Sequence, residues 1–222
     1  MTSINIDTIR PDVQAPQGSP EWFALRLGKV TASRLGDLMK KTKYGESTYK
    51  TKLRMELAIE RLTGKSASTV VTNQAMRDGI DREPDARKLF EAVTGKEVAL
   101  CGSFDHPEIP NTSASPDGLI IGEDAVLELK APTHVTHARN LMSDTMDKRY
   151  VYQVQWQMAC TETDHAYFAS YHPDFPKELR LKWMKVERDN MIILDLEDAV
   201  RNFDISVEDL IIQITNGGNK NG

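Results

Sequence analysis

The sequence has little sulfur chemistry, no membrane-length apolar run and no surplus of positive charge, and each shortage narrows what it can do. Its two cysteines, Cys101 and Cys160, stand far apart with no metal-ligand spacing, so they read as two reduced thiols rather than a disulfide framework or zinc site. No apolar stretch approaches the roughly 20 residues that cross a bilayer. The first residues lack a basic stretch followed by an apolar one, so no secretory signal is expected and a cytoplasmic location follows. With 40% apolar and 27% charged residues over 222 positions, wholesale disorder is not expected and a proper core is affordable in size.

The net charge of −5 argues at first against nucleic acid, because duplex binding rests on Lys and Arg neutralising phosphates. Its distribution weakens that objection. Positions 21–65 carry eleven Lys/Arg against five Asp/Glu, a balance of +6, whereas 187–222 carry three against eight, a balance of −5. A chain so polarised can line a channel with positive charge and stay acidic elsewhere. The cluster Lys40, Lys41, Lys43, Lys50, Lys52 and Arg54 is the candidate DNA-facing surface, although charges that merely solvate helices would look the same.

Three parts are expected: an N-terminal arm over 1–19, rich in proline; a single domain over 20–214; and a glycine- and asparagine-rich flexible tail over 215–222. Ser19 and Pro20 mark a helix start as cap and first helical residue. A second helix is expected from Thr31, and a third over 48–62 ending at Thr63-Gly64, with Leu53, Leu57 and Leu62 on one buried face. A fourth spans 72–93, kinked or divided at Pro84. From Val98 the pattern turns to strands, with a hairpin over 113–130 turning at Gly122-Glu-Asp. A helix over 150–161, strands over 166–171 and 179–187, and a last helix over 192–214 follow. The class is α/β (α+β), one mixed central sheet flanked by helices.

Chemistry concentrates in Ser115-Pro-Asp117-Gly and Leu127-Glu128-Leu-Lys130. Side chains alternate along a strand, so Glu128 and Lys130 share a face, and a hairpin turning near residue 123 puts Asp117 across from them. Two carboxylates suit Mg2+, a hard cation that also keeps waters and phosphate oxygens; Mn2+ accepts the same ligands. An ion there would polarise a scissile phosphate and activate water, with Lys130 orienting or deprotonating that water or offsetting charge in the transition state; buried beside a metal, a lysine can have a depressed pKa, which suits the base role. An Asp some ten residues before Glu-x-Lys also arises by chance as a surface ion pair. The apolar setting of Val126, Leu127 and Leu129 favours the site, since unpaired charges in a buried strand are costly.

With these residues the chain resembles the phage lambda exonuclease, or YqaJ-type viral recombinase exonuclease, family. The likeness runs from about Trp22 to Arg188 through four motifs in order: Trp22…Leu25-Arg26-Leu27-Gly28…Thr31-Ala32-Ser33; Gly79-x-x-x-Glu83-x-x-Ala86; Ser115-Pro116-Asp117-Gly118 with Leu127-Glu128-Leu129-Lys130-x-Pro132; and Gln153-Val154-Gln155. The resemblance implies a restriction-endonuclease-like core. It implies metal held by Asp117, Glu128 and the carbonyl of Leu129, Lys130 beside the attacking water, and contributions from Glu83 and Gln153. Arg26, Ser33 and Ser115 match positions that grip a terminal 5′-phosphate. One position departs: the family's arginine falls on Thr136, for which His134, His137 or Arg139 are the nearby substitutes.

The resemblance further implies 5′→3′ digestion of one strand of duplex DNA ends, a ring-shaped homotrimer, and a single-strand annealing protein as partner. Gln153 and Gln157, one helical turn apart, read as a polar stripe on a wet cleft. Two alternatives stay open. An endonuclease on the same core would need an inserted element to read base edges, which is not visible; its iron–sulfur version needs four cysteines. A non-catalytic DNA-end-binding module would have no use for the acids and lysine.

Overall fold

The computed structural model describes residues 15–43, 45–67 and 74–218. Most of the expected N-terminal arm, and the last four residues of the expected tail, lie outside them. The chain opens with α1 (Pro20–Arg26), whose cap is as expected: Ser19 Oγ accepts from the Trp22 amide at 3.1 Å and proline sits in the first turn. Next comes β1 (Val30–Thr31), a single 3-10 turn over Ala32–Arg34, and α2 (Leu35–Leu38). The helix expected from Thr31 is therefore split, because Val30 and Thr31 pair with a later strand.

Helix α3 (Thr48–Thr63) stops at Gly64, which takes φ 66°, a left-handed conformation open to glycine at no steric cost. Leu53 and Leu57 are buried, but Leu62 is exposed. Nine residues at about 100° each put Leu62 half a turn round from Leu53, so it cannot share that face. Helix α4 (Gln74–Thr94) is one element with Pro84 inside it. Proline there frees the carbonyl of residue 80, and Ile80 is exposed, so water can take that bond.

Two sheets follow rather than the single one expected. The first joins β1 to β4 (Thr112–Ala114) and β3 (Phe104–Asp105); the second has the order β2 (Val98–Ala99), β5 (Gly118–Ile120), β6 (Ala125–Lys130), β7 (His165–Tyr171) and β8 (Leu181–Glu187). β6 and β7 run parallel, joined by α5 (His134–Met142), absent from the sequence reading, and α6 (Lys148–Thr161); the other pairs in this sheet are antiparallel. The last helix, α7, spans Asn190–Gly218, so the start of the expected tail is helical.

Both faces of β6 are covered, which explains its near-continuous apolar run. Leu127 and Leu129 pack with Ala86 and Phe90 of α4, and Val126 packs with Val154 and Met158 of α6. Alternation then turns Glu128 towards α6. Burying each large apolar side chain is worth roughly 1.5–3 kcal/mol, enough to hold one charged residue in the row if it is partnered. No helix of the described residues is long and apolar enough to cross a membrane.

Candidate active site

The hairpin register places the acids. Gly118 pairs with Leu127 and Leu119 with Val126, so Asp117 comes opposite Glu128 and shares its side of the sheet. The turn is at Gly122, with φ 81°. Gly118, next to Asp117, is needed for a close approach: a Cβ there would lie 2.3 Å from Val98 Cγ1 and 3.1 Å from the Ala99 carbonyl. Asp117 is thus held at the start of a strand that β2 presses against.

Asp117 Oδ2 accepts from the Leu129 amide at 2.6 Å, fixing one carboxylate oxygen on the neighbouring strand. Glu128 is 1% exposed and fully engaged. Its Oε1 accepts from Gln153 Nε2 at 2.6 Å and pairs with Lys130 Nζ, while its Oε2 accepts from Gln157 Nε2. The Lys130 ammonium also lies 5.5 Å from the centre of the Tyr150 ring. From α4, Glu83 approaches the same group and pairs loosely with Arg87 at 3.8 Å. Asp117, Leu129, Lys130, Glu83 and Tyr150 line one cleft of about 410 Å³.

Burial and neighbouring acids together set the electrostatics of this cluster. Burial first, then Glu128 and Glu83, push the Asp117 carboxyl well above its ordinary range, against the pull of Lys130 and the Leu129 amide. Glu83 is raised by burial and by Glu128, with Arg87 and Lys130 opposing. Burial would lower Lys130, but Glu128 and Asp117 outweigh it and hold the ammonium above its usual value.

Arg26 and Ser115, also singled out from sequence, are in direct contact. Arg26 Nη1 donates to Ser115 Oγ at 2.7 Å, Trp22 Nε1 donates to the same oxygen at 3.1 Å, and the guanidinium stacks over the Trp22 ring at 4.1 Å. Burial lowers the Arg26 pKa to about 10, with Glu128 opposing, so the arginine feels the acids on the sheet. Ser33 is exposed and 3.3 Å from Thr31 Oγ1; it shares with Arg26 a second cleft of about 440 Å³ rather than a bond.

Other expectations change. Gln153 and Gln157 do not face a wet cleft: both are buried against Glu128, with Gln157 0% exposed. The basic cluster is partly neutralised, with Lys52 3.6 Å from Glu56, Lys50 4.0 Å from Glu46, and Arg54 paired with Glu46. His137 cannot stand in for the arginine missing at Thr136, because it is buried between Ser170 Oγ and the Leu179 carbonyl. Sequence reasoning missed Tyr150, whose ring faces Lys130; its place one turn before Gln153 on the same helix was the available signal.

His134, His172 and Asp174 form a separate group whose ligand atoms lie within 4.8 Å of one another. Two imidazoles suit zinc or copper better than magnesium. The Arg82 guanidinium sits 3.3 Å from His172 Nε2, placing a fixed positive charge beside that ring. The Asp117 and Glu128 carboxylates on the hairpin are the harder donor set.

This geometry has known counterparts. Comparison with curated proteins gives no match. Among solved structures, an alkaline exonuclease (LHK-Exo) from Laribacter hongkongensis superposes with a TM-score of 0.84 at 35% identity, covering 92% of this chain and 100% of that one; it has also been solved in complex with dAMP. A phage-related exonuclease from Haemophilus somnus 129PT matches with a TM-score of 0.65 at 16% identity over 84% of this chain and 96% of that one, a likeness of fold alone. The profile of the YqaJ-like viral recombinase domain matches residues 21–164, which include every site residue named above except those of the His134 group beyond β6–α6. With the mixed α/β fold of an alkaline exonuclease, the chain belongs to the YqaJ-like viral recombinase family.

Proposed function

We propose that this protein is a divalent-metal-dependent deoxyribonuclease that digests one strand of linear duplex DNA in the 5′→3′ direction, leaving 3′ single strands for annealing. The observation that carries this reading is the convergence of Asp117, Glu128 and Lys130 on a hairpin buried between two helices, at a cleft open to a backbone phosphate. The donor set fits a hard cation. Burial first, then two further carboxylates, raise the proton affinity of Asp117, and Mg2+ or Mn2+ would supply the positive charge that the acids lack.

Asp117 and Glu128, with the Leu129 carbonyl, would hold the ion. When bound, it supplies Lewis-acid polarisation of the scissile phosphate and activation of water. Lys130, paired with Glu128, orients the attacking water and offsets negative charge growing on the phosphate. Gln153 holds one oxygen of the Glu128 carboxylate, and Glu83 adds a third acid from α4. Arg26 and Ser115, with Ser33 in the adjoining cleft, grip a terminal 5′-phosphate through a charge-assisted fork and hydroxyls. The dAMP complex of the Laribacter enzyme supports a site that accepts a deoxynucleotide. A ring-shaped homotrimer around DNA and a strand-annealing partner come with the family likeness.

The test is incubation with Mg2+ and linear duplex labelled at either end, with and without 5′-phosphate, beside a closed circle. We expect the 5′ label to be released first, faster from phosphorylated ends, and the circle to stay intact. Discrete fragments from the circle would replace this reading with an endonuclease. Intact DNA with either metal, despite binding to ends, would leave a non-catalytic module.

A further inference from the structure

The side of Glu128 that faces α6 carries contacts beyond these assignments. Helix α6 brings three glutamines into the interior, and they do different things. Gln155 serves the fold: its Nε2 donates to the Glu187 carbonyl at 2.9 Å and its Oε1 accepts from the Asp189 amide at 2.9 Å, tying the end of β8 to the start of α7. Gln157 has no such duty. Its Nε2 goes to Glu128 Oε2, and its Oε1 is buried with no hydrogen-bond partner.

An amide turned over would satisfy nothing better and would set its oxygen against a carboxylate oxygen. The side chain is therefore held in the orientation that gives its donor to Glu128 and leaves its own carbonyl without a protein partner. A residue kept on those terms is there for its donor. Gln153 and Gln157 stand four residues apart, one turn on the same helix face, and each takes one oxygen of the same carboxylate. Gln153 and Lys130 both act on Oε1, so without Gln157 the other oxygen is unheld and the last torsion, a broad, roughly two-fold rotation, is less restrained. Both together hold the two oxygens and so fix its plane.

We infer that Gln157 is a positioning residue for the metal-binding carboxylate: by clamping Glu128 Oε2 from behind, it sets the orientation in which Glu128 meets a divalent cation. The inference rests on the reading of Glu128 as a metal ligand given above. Groups that hold a ligand from behind characteristically govern metal affinity by roughly 10–100-fold.

The experiment is calorimetric titration of Mn2+ into wild-type protein and into Gln157→Leu, Gln157→Met and Gln155→Leu, with thermal unfolding recorded for each. Gln157→Met keeps the length and flexibility of the side chain, so it serves if the leucine variant does not fold. Wild type should bind the ion. The Gln157 variants should bind it on the order of tenfold more weakly, and Gln155→Leu, whatever its stability, should bind it like wild type. In nuclease assays the metal concentration for half-maximal rate should rise in parallel for the Gln157 variants, with KM for DNA unchanged. Wild type without bound ion would remove the metal reading itself. Wild type that binds while the folded Gln157 variants bind equally well would overturn the positioning role alone. So would an equal loss in Gln155→Leu, which would show a merely structural effect.

Discussion

The two ends of β6 carry two charged clusters of similar composition and opposite character. At its N-terminal end Glu123 is shared by Lys96, by His165 at 3.2 Å and by the Tyr167 hydroxyl at 2.8 Å. Burial would raise this acid, but those three donors lower it to about 2. At the C-terminal end Asp117, Glu128 and Glu83 share Lys130, with Arg87 loosely on Glu83, and both Asp117 and Glu83 are pushed up. The same strand thus holds a neutralised cluster and an under-neutralised one. A cluster whose charges are all answered explains itself as structure, whereas one short of positive charge points to a cation or a phosphate chemistry that answers it.

The sharpest way to break that contrast is to remove the acids one at a time. Asp117→Asn, Glu128→Gln and Lys130→Met should each lower the rate of DNA hydrolysis by roughly 10²–10⁴-fold, with circular dichroism unchanged, while Glu123→Gln leaves the rate untouched. Asp117→Asn keeps the acceptor for the Leu129 amide and relieves crowding, so without added metal it should unfold at the same or a higher temperature than wild type. Equal rates in Lys130→Met and wild type would remove Lys130 from the reaction.

A second, smaller effect separates end recognition from chemistry. Arg26 reaches Ser115 and stacks on Trp22, away from the acids but within their field. Arg26→Ala should reduce the preference for 5′-phosphorylated over 5′-hydroxyl ends by roughly tenfold, about what a charge-assisted hydrogen bond contributes, and leave the rate on hydroxyl ends nearly unchanged. A ratio equal to that of wild type would sink the phosphate grip.

Much of this was readable in the residues, and the failures have physical causes. Asp117, Glu128 and Lys130 were legible because strand alternation and a turn at Gly122 leave little freedom. The cap at Ser19 and the stop at Gly64 were legible because each depends on one residue's backbone or side chain. The three-stranded sheet was not, since β1 and β4 are two and three residues long and pair across some 80 positions. Helix α5 hid because His134, Thr136 and His137 interrupt its apolar spacing, and His137 is inside for its hydrogen bonds rather than for apolarity. Gln157 hid because an amide on an otherwise apolar helix reads as solvent-facing until its partner, 29 residues away, is seen.

The smallest effect concerns the neutralised end. An acid whose folded pKa is about 2, against roughly 4.3 for an unperturbed glutamate, binds fewer protons in the folded than in the unfolded chain at intermediate pH. Its contribution to stability is therefore fully present above about pH 4.3 and is lost as pH falls toward 2. The Glu123 side chain is 32% exposed, so solvent screening discounts the effect to below about 1 kcal/mol. In Glu123→Gln that part of the acid loss should disappear. Wild type and variant should differ most near pH 6 and converge on going from pH 4.5 to pH 2, as read from urea midpoints. A constant difference across that range would mean that Glu123 stabilises by packing and neutral hydrogen bonds, and the contrast between the two ends of β6 would then be one of shape rather than charge.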